Sequence, residues 1–184
     1  PMDNGASSYR RFLDGDEDAF DDIVEDYREG LTHFLEGYVH DAAAAEDIAI
    51  DVFTYIIVHK HKYNFKTSFR TYLFMLGRSR ALDYIKREKK IQTVEFSDAE
   101  NELSADISPE EEVFANERKE AVRKGLEKLP DDMREVLRLI YFEELSYEEA
   151  ARVMKKNRKQ IDNLLYRSKE KLRSIIGKEG ELLL

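Results

Sequence analysis

Residues 125–176 read GLEKLPDDMREVLRLIYFEELSYEEAARVMKKNRKQIDNLLYRSKEKLRSII, and their cap residues and apolar spacing indicate the fold of the C-terminal part of the chain. Ser146 and Glu149 have the spacing of a capping box, in which each side chain bonds a free backbone N–H group in the first turn of a helix. Asn157 and Gln160 repeat this spacing at the start of a second helix. The two lysines before Asn157 are left as the turn. The stretch therefore predicts a helix-turn-helix.

The second helix, predicted over residues 158–175, has one apolar face and one basic face. The positions that share the apolar face at helical spacing are Ile161, Leu164, Leu165, Ser168, Leu172 and Ile175. Outside this stripe lie Arg158, Lys159, Asn163, Arg167 and Lys171. Phosphates attract positive charge, and base edges in the major groove pair with Arg, Asn and Gln side chains. The pattern is typical of a DNA recognition helix, although a surface helix with solvated charges also has it.

Charge is distributed unevenly along a chain whose formal net charge is -9 over 184 residues. Residues 152–175 carry nine cations and two carboxylates, a net charge of +7. Residues 56–95 carry ten cations and three carboxylates, again +7, whereas residues 1–55 carry three arginines and fifteen carboxylates, a net charge of -12. Such asymmetry indicates that different parts of the chain have different partners.

The N-terminal part has the apolar periodicity of helices. Residues 18–39 predict one or two amphipathic helices with acidic outer faces, and Asp41 or a neighbour begins the next element. In this second helix the predicted inward residues are Ile48, Val52, Phe53, Ile56 and Ile57. A polar, aromatic loop of sequence HKHKYNFKTS follows. The third helix is predicted to turn inward Phe69, Tyr72, Leu73, Leu76, Leu82 and Ile85.

Cations and aromatic residues alternate in this loop and in the helix after it. Cations supply phosphate contacts. An aromatic ring can stack on an unpaired base, and this stacking contributes roughly 1 to 3 kcal/mol of binding free energy per base. Aromatic residues on helices more often belong to a core, so the pattern alone leaves both interpretations open. A second basic surface at the other end of the chain favours single-stranded nucleic acid as the ligand here.

Composition excludes several classes of protein. With three prolines, eight glycines and no alternating β-branched runs, the sequence predicts an all-α fold. The lack of cysteine excludes disulfides, thiolate metal sites and cysteine nucleophiles. The four histidines do not have the i, i+4 spacing of a helical metal site, so we expect no catalytic residues, no metal and no cofactor. We see no secretory signal and no apolar run of membrane-spanning length, and expect a cytoplasmic protein without membrane insertion.

An acidic linker is predicted between two small helical domains. Residues 96–117 contain eight carboxylates and no Lys or Arg, a composition that disfavours a packed core. Ser108-Pro109-Glu110-Glu111 then reads as the N-cap and first turn of a new helix. We therefore divide the chain into a domain at 1–95, a linker at 96–108 and a second domain at 109–184.

These blocks together resemble bacterial RNA polymerase sigma factors of the extracytoplasmic-function class along nearly the whole chain. DAFDDIVEDYREGLTHFLEGYVHD resembles the start of their region 2, AEDIAIDVF at 45–53 resembles the helix that docks on the polymerase clamp, and FRTYLFMLGRSRALDYIKR at 69–87 resembles the segment that opens the minus-ten element. LPDDMREVLRLIYFEELSYEEAARVM, followed by QIDNLLYRSKEKLR, is similar to region 4, which reads the minus-thirty-five element.

The resemblance implies an alternative sigma factor that binds core RNA polymerase and directs initiation at specific promoters, with an anti-sigma factor as a further partner. It implies polymerase binding by Glu46, Asp47, Ile50 and Asp51. For the minus-ten element the expected residues are Lys62, Tyr63, Asn64, Phe65, Lys66, Arg70, Tyr72, Arg78, Ser79, Lys86 and Arg87. For the minus-thirty-five element they are Arg158, Lys159, Gln160, Asn163 and Arg167.

Four positions depart from the usual pattern of this class. The family commonly has Gln at Ile50, Trp at Tyr72, Asn at Ser79 and Gly at Lys155. The competing hypothesis is a conventional helix-turn-helix regulator that binds DNA without polymerase, usually as a two-fold dimer. An enzyme is a third class, suggested only by the many carboxylates and the histidines.

Overall fold

The computed structural model describes residues 4–92 and 121–177, and every regular element within these two ranges is helical. The chain divides into two compact units, Pro1–Ser97 and Asp98–Leu184. The predicted all-α fold is therefore confirmed. The predicted acidic linker and the capping box at Ser108 lie outside the described residues, and the domain boundaries stay predictions. In the described part no helix is both long and apolar enough to cross a membrane.

The first unit is a bundle in which the second helix packs against the other three. Its helices are α1 (Asn4–Leu13), α2 (Asp18–Val39), α3 (Ala42–Val58) and α4 (Phe69–Gln92). Helix α3 begins where the sequence places it, after Asp41, and the Asp41 carboxylate caps it by accepting a hydrogen bond from the backbone N–H of Ala44 at 2.8 Å. The region predicted as one or two helices over 18–39 is a single helix.

Two residues predicted to face the core of this unit are exposed, which corrects the sequence interpretation. Ile57 is 48% exposed and Leu82 is 40% exposed. Each residue advances an α-helix by about 100°, so Leu82 lies on the opposite side of α4 from the buried Leu73. The core positions of α4 that the sequence interpretation missed are Phe74 and Ala81.

An aromatic cluster joins α1, the loop at residues 59–68 and α4. The Tyr9 side chain is fully buried, and its hydroxyl donates to the carbonyl oxygen of Lys60 at 2.8 Å. Burial raises the pKa of this hydroxyl well above its usual range. Tyr63 is 3% exposed, stacks on Tyr72 with centroids 4.9 Å apart, and donates its hydroxyl to the carbonyl of Thr67 at 2.7 Å. The cluster therefore fixes the loop against the bundle.

The second unit contains the helix-turn-helix. Its elements are α5 (121–127), α6 (Asp131–Leu137), a π-helical turn (Arg138–Phe142), α7 (Tyr147–Met154) and α8 (Arg158–Ile176). The Arg134 guanidinium, 15% exposed, ties the end of α5 to α6, because it donates to the carbonyls of Leu126, Glu127 and Leu129 at 3.0 to 3.1 Å.

The caps and turn of the helix-turn-helix are confirmed. Both predicted capping boxes are present, at Ser146 with Glu149 and at Asn157 with Gln160. Lys155 ends α7 with a φ of 54°, in the left-handed region that glycine adopts without strain. The predicted inner face of α8 is buried at Ile161, Leu164, Leu165, Ser168 and Leu172.

Candidate nucleic-acid and protein-docking surfaces

The outer face of α8 carries the polar residues that the sequence assigned to a DNA groove. The exposed residues are Arg158, Lys159, Gln160, Asn163 and Arg167. One is paired within the unit: the Nη1 atom of Arg158 lies 2.9 Å from the Oε1 atom of Glu148 on α7. Both side chains are largely in water, at 70% and 53% exposed, so a phosphate can compete for this arginine.

Gln160 also stabilises the start of α8. Its Oε1 atom accepts the backbone N–H of Asn157 at 2.8 Å, which closes the capping box. This bond uses one of the two lone pairs of the amide oxygen and fixes its direction, so the N–H donors and one lone pair of Gln160 remain for a ligand.

Tyr166 is a residue of this face that the sequence interpretation missed. It is 67% exposed, and it follows Asn163 by three residues, so both lie on the outer side of the helix. The signal was available, because Tyr166 falls outside the apolar stripe of α8. A tyrosine in this position presents an apolar ring and a hydroxyl together to a ligand.

In the first unit the loop at 59–68 presents some of its expected residues and buries another. Lys62, Asn64 and Lys66 are exposed, and the Asn64 side-chain oxygen accepts the backbone N–H of Lys66 at 3.1 Å. Phe65 is half-buried and has a φ of 59°. Tyr63 differs from the expectation, because a ring 3% exposed and packed on Tyr72 has no free face for a base.

The expected residues of α4 are spread along more than one side of the helix. Ser79, Lys86 and Arg87 are exposed, while Arg70, Tyr72 and Arg78 are half-buried. The Arg70 guanidinium lies over the Phe74 ring, 5.3 Å from its centroid. Burial raises the pKa of the Tyr72 hydroxyl. The structure thus brings Tyr72 close to the loop through its stack on Tyr63.

The outer face of α3 mixes carboxylates with exposed apolar side chains. Asp47 and Asp51 are exposed on either side of Ile50, itself 53% exposed. Glu46 differs from them, because it is half-buried and accepts hydrogen bonds from Arg28 and from Thr32 of α2. Further along α3, Ile57 and Val58 are 48% and 68% exposed. Exposed apolar residues on one helix are typical of a protein-docking surface.

Among the residues that the structure describes, no group of His, Asp and Glu side chains is arranged to hold a metal ion. The exposed side chains named above are cations, amides, rings and apolar groups, which are the contact types used for nucleic acids and proteins.

Comparison with known proteins identifies the family. The model described as Sigma-70 region 2 matches residues 9–91, and the model described as Sigma-70, region 4 matches residues 119–172. The ECF RNA polymerase sigma factor SigM of Bacillus subtilis is 29% identical over 160 residues, covering 86% of this chain and 95% of that protein. SigW of the same organism is 29% identical over 170 residues, covering 86% and 89%.

A solved structure shares the fold. The sigma factor RpoE from Bartonella quintana, determined in complex with the anti-sigma factor NepR, is 19% identical, with a TM-score of 0.67 over 85% of this chain and 96% of that one. Both sigma-70 regions occur in order within one all-helical chain, and the relatives match over most of their length. The family expected from the sequence is therefore confirmed: this chain belongs to the extracytoplasmic-function class of sigma-70 factors, the alternative sigma factors of RNA polymerase.

Proposed function

We propose that this sigma factor divides promoter recognition between its two units and docks on core RNA polymerase through a third surface. The outer face of α3 binds polymerase, the loop at 59–68 with α4 holds the opened minus-ten element, and α8 reads the minus-thirty-five element. The observation that carries the proposal is that each unit has its own exposed basic surface of the kind nucleic acid requires. No chemical step is assigned to the chain.

For the minus-thirty-five element, α8 lies in the major groove with its N-terminal turns towards the bases. Lys159, Asn163 and Arg167 read bases or bind phosphates, and Tyr166 adds an apolar contact. Arg158 exchanges its contact with Glu148 for a phosphate. Gln160 contributes its N–H donors and the remaining lone pair of its oxygen, because the capping box uses only one lone pair.

For the minus-ten element, Lys62 and Lys66 bind the backbone of the single strand, and Phe65 and Tyr72 offer half-buried rings near the unstacked bases. Tyr63 supports these residues from below rather than contacting a base. The exposed Ser79, Lys86 and Arg87 extend the surface along α4, and Arg70 and Arg78 are its half-buried members.

For polymerase, the contact is the α3 surface around Ile50, with Asp47 and Asp51 as flanking charges. Glu46 acts indirectly, because its carboxylate holds α3 to α2 through Arg28 and Thr32. Ile50 gives the contact an apolar centre where the family commonly has Gln.

An anti-sigma factor is a further proposed partner, as the Bartonella relative is bound to one. We also propose that the protein acts in the cytoplasm, where polymerase and promoter DNA are found. The segment at 96–108 serves as the tether between domains at 1–95 and 109–184, since its carboxylates disfavour packing.

Dependence on polymerase tests the proposal. The chain has a net charge of -9, and residues 1–55 alone carry -12, so duplex DNA repels the free protein at long range. Core polymerase covers acidic surface and holds both basic surfaces on one DNA, which raises their effective concentration. Band-shift measurements should therefore show specific retention of promoter DNA only when the chain and core polymerase are mixed.

The controls are core polymerase alone and the chain alone. Tight, sequence-specific binding by the chain alone would favour the conventional regulator and contradict the proposal. A second control is the triple variant with Ala at Arg158, Lys159 and Asn163, which should abolish transcription from a cognate promoter and leave binding to core polymerase intact. Unchanged transcription would contradict the groove assignment.

A further inference from the structure

The first 55 residues contain only three arginines, and the structure uses them differently. Arg11 pairs with Asp16 at 2.6 Å and Asp22 at 3.2 Å, and Arg28 pairs with Glu46. The Arg10 guanidinium has no carboxylate partner among the described residues. It lies instead over the ring of Phe65, with its central carbon 4.8 Å from the ring centroid.

The position of Arg10 is set by the residue before it. Tyr9 is fully buried and bonds the carbonyl of Lys60, so α1 is fastened to the start of the loop at 59–68. Arg10, the next residue, is exposed and reaches the same loop at Phe65. Helix α1, which the sequence interpretation left without a role, therefore contributes to the proposed minus-ten surface.

Phe65 is held as a support for this guanidinium. Its φ of 59° is unusual for a bulky residue, and the conformation persists because neighbouring groups hold the ring. Tyr63 packs against it with centroids 4.6 Å apart, and Tyr9 contacts it at 6.2 Å. Arg10 is exposed, so its side chain is open to solvent while its guanidinium lies over the Phe65 ring.

We propose that Arg10 binds an unpaired nucleotide of the opened promoter, with the base stacked on the outer face of the guanidinium and Phe65 behind it. A guanidinium is planar and delocalised, so it stacks on an aromatic ring through one face and on a base through the other. Its charge also attracts the backbone of the strand, together with the exposed Lys62 and Lys66. This inference rests on the proposed function of the loop and adds a residue from outside it.

The test uses the full chain bound to core polymerase and a pre-opened promoter selected from a random DNA pool by the wild-type holoenzyme. Arg10→Ala should weaken binding to this DNA by about 5-fold to 150-fold, the range for losing one stacked base. The slope of log affinity against log salt should fall by about 0.7, the value for one single-strand phosphate contact. Arg11→Ala is the matched control, because Arg11 is the next residue of α1 and is already paired with carboxylates. It should leave both quantities unchanged.

Arg10→Lys separates stacking from charge. Lysine keeps the cation and loses the plane, so the salt slope should remain at the wild-type value while the affinity stays below wild type. Thermal unfolding of Arg10→Ala should match the wild-type protein, since a merely structural brace would lower the melting temperature instead. If that variant does unfold earlier, the stacking claim is judged on Arg10→Lys alone.

Two outcomes overturn the inference: Arg10→Ala binds this DNA as tightly as Arg11→Ala does, or Arg10→Lys binds it as tightly as the wild-type protein. The double variant with Ala at Lys62 and Lys66 distinguishes this failure from a failure of the proposed function. If the double variant at Lys62 and Lys66 weakens binding and Arg10→Ala does not, Arg10 does not contact the DNA and the assignment of the loop to the minus-ten element stands. If none of the variants weakens binding, the loop assignment itself is wrong.

Discussion

Replacement of Glu148 by Gln should strengthen promoter binding while slightly destabilising the helix-turn-helix. In the free protein Glu148 holds Arg158 at 2.9 Å, and the two side chains are 53% and 70% exposed. A pair this exposed is worth at most about 1 kcal/mol, so releasing Arg158 should improve affinity by no more than about fivefold. Gln has about the same size as Glu, and it removes the negative charge that would repel a nearby phosphate.

The effect on stability should have the opposite sign. Glu148 lies in the first turn of α7, where a carboxylate interacts favourably with the helix dipole by roughly 0.3 to 1 kcal/mol. The Glu148→Gln variant should therefore melt at or slightly below the wild-type temperature and still bind DNA more tightly. A gain in affinity that followed a gain in stability would point to a different cause.

The assay is promoter binding by the reconstituted holoenzyme at low and moderate salt. Glu127→Gln is the matched control, because Glu127 pairs with Arg123 at 2.6 Å and is also 53% exposed, but lies on α5. The gain from Glu148→Gln should shrink as salt rises, and Glu127→Gln should show no gain. Weaker binding by Glu148→Gln at low salt would refute the reasoning, because it would mean that the carboxylate positions Arg158 for DNA.

The other predictions concern stability and are measured by urea unfolding. The Lys155→Gly variant should have a free energy of unfolding about 1 to 2 kcal/mol higher than Lys155→Ala, because the backbone at this position is left-handed. Position 171, within α8, is the control: there the Lys171→Ala variant should be about 1 kcal/mol more stable than Lys171→Gly. Arg134→Ala should lower the free energy of unfolding of the second unit by at least about 1.5 kcal/mol, because the carbonyls of Leu126 and Leu129 lose a charged hydrogen-bond donor. An unchanged free energy of unfolding would contradict this prediction. The raised pKa of Tyr9 keeps its hydroxyl protonated in the folded state, so stability should fall as pH rises above about 10, where the unfolded chain ionises, and Tyr9→Phe should reduce that fall.

The elements that the sequence predicted correctly depend on local interactions. The capping boxes at Ser146 and Asn157 close within one helical turn, so the residues that form them are visible in a short stretch of sequence. The cap at Asp41 is equally local, although the sequence predicted only that the helix begins at Asp41 or a neighbour. The inner face of α8 was also predictable, because a helix covered on one side repeats its apolar residues at a fixed period.

The residues that were misplaced depend on contacts between distant parts of the chain. Ile57 and Leu82 are apolar, but the neighbouring helices do not reach their side of α3 and α4. Tyr63 resembles a base-stacking residue in the sequence, yet its ring packs on Tyr72 within the cluster. Arg10 and Phe65 are 55 positions apart, and nothing local to either indicates their contact. The spacing of apolar residues predicts which of them share one side of a helix. It does not show whether another element covers that side.

The geometry of α8 also explains why one unit alone should bind promoters weakly. Arg158 is shared with Glu148 and the oxygen of Gln160 is held by the cap, which leaves Lys159, Asn163 and Arg167 as unshared polar contacts on this face. A good bidentate base contact is worth about 1 to 3 kcal/mol. This small number of contacts should therefore discriminate between promoters only modestly. In the proposed mechanism, polymerase links α8 to the minus-ten surface and so adds the second set of contacts at a high effective concentration. If α8 reads the minus-thirty-five element as proposed, this sigma factor should gain its promoter specificity when bound to polymerase and should bind DNA weakly when free.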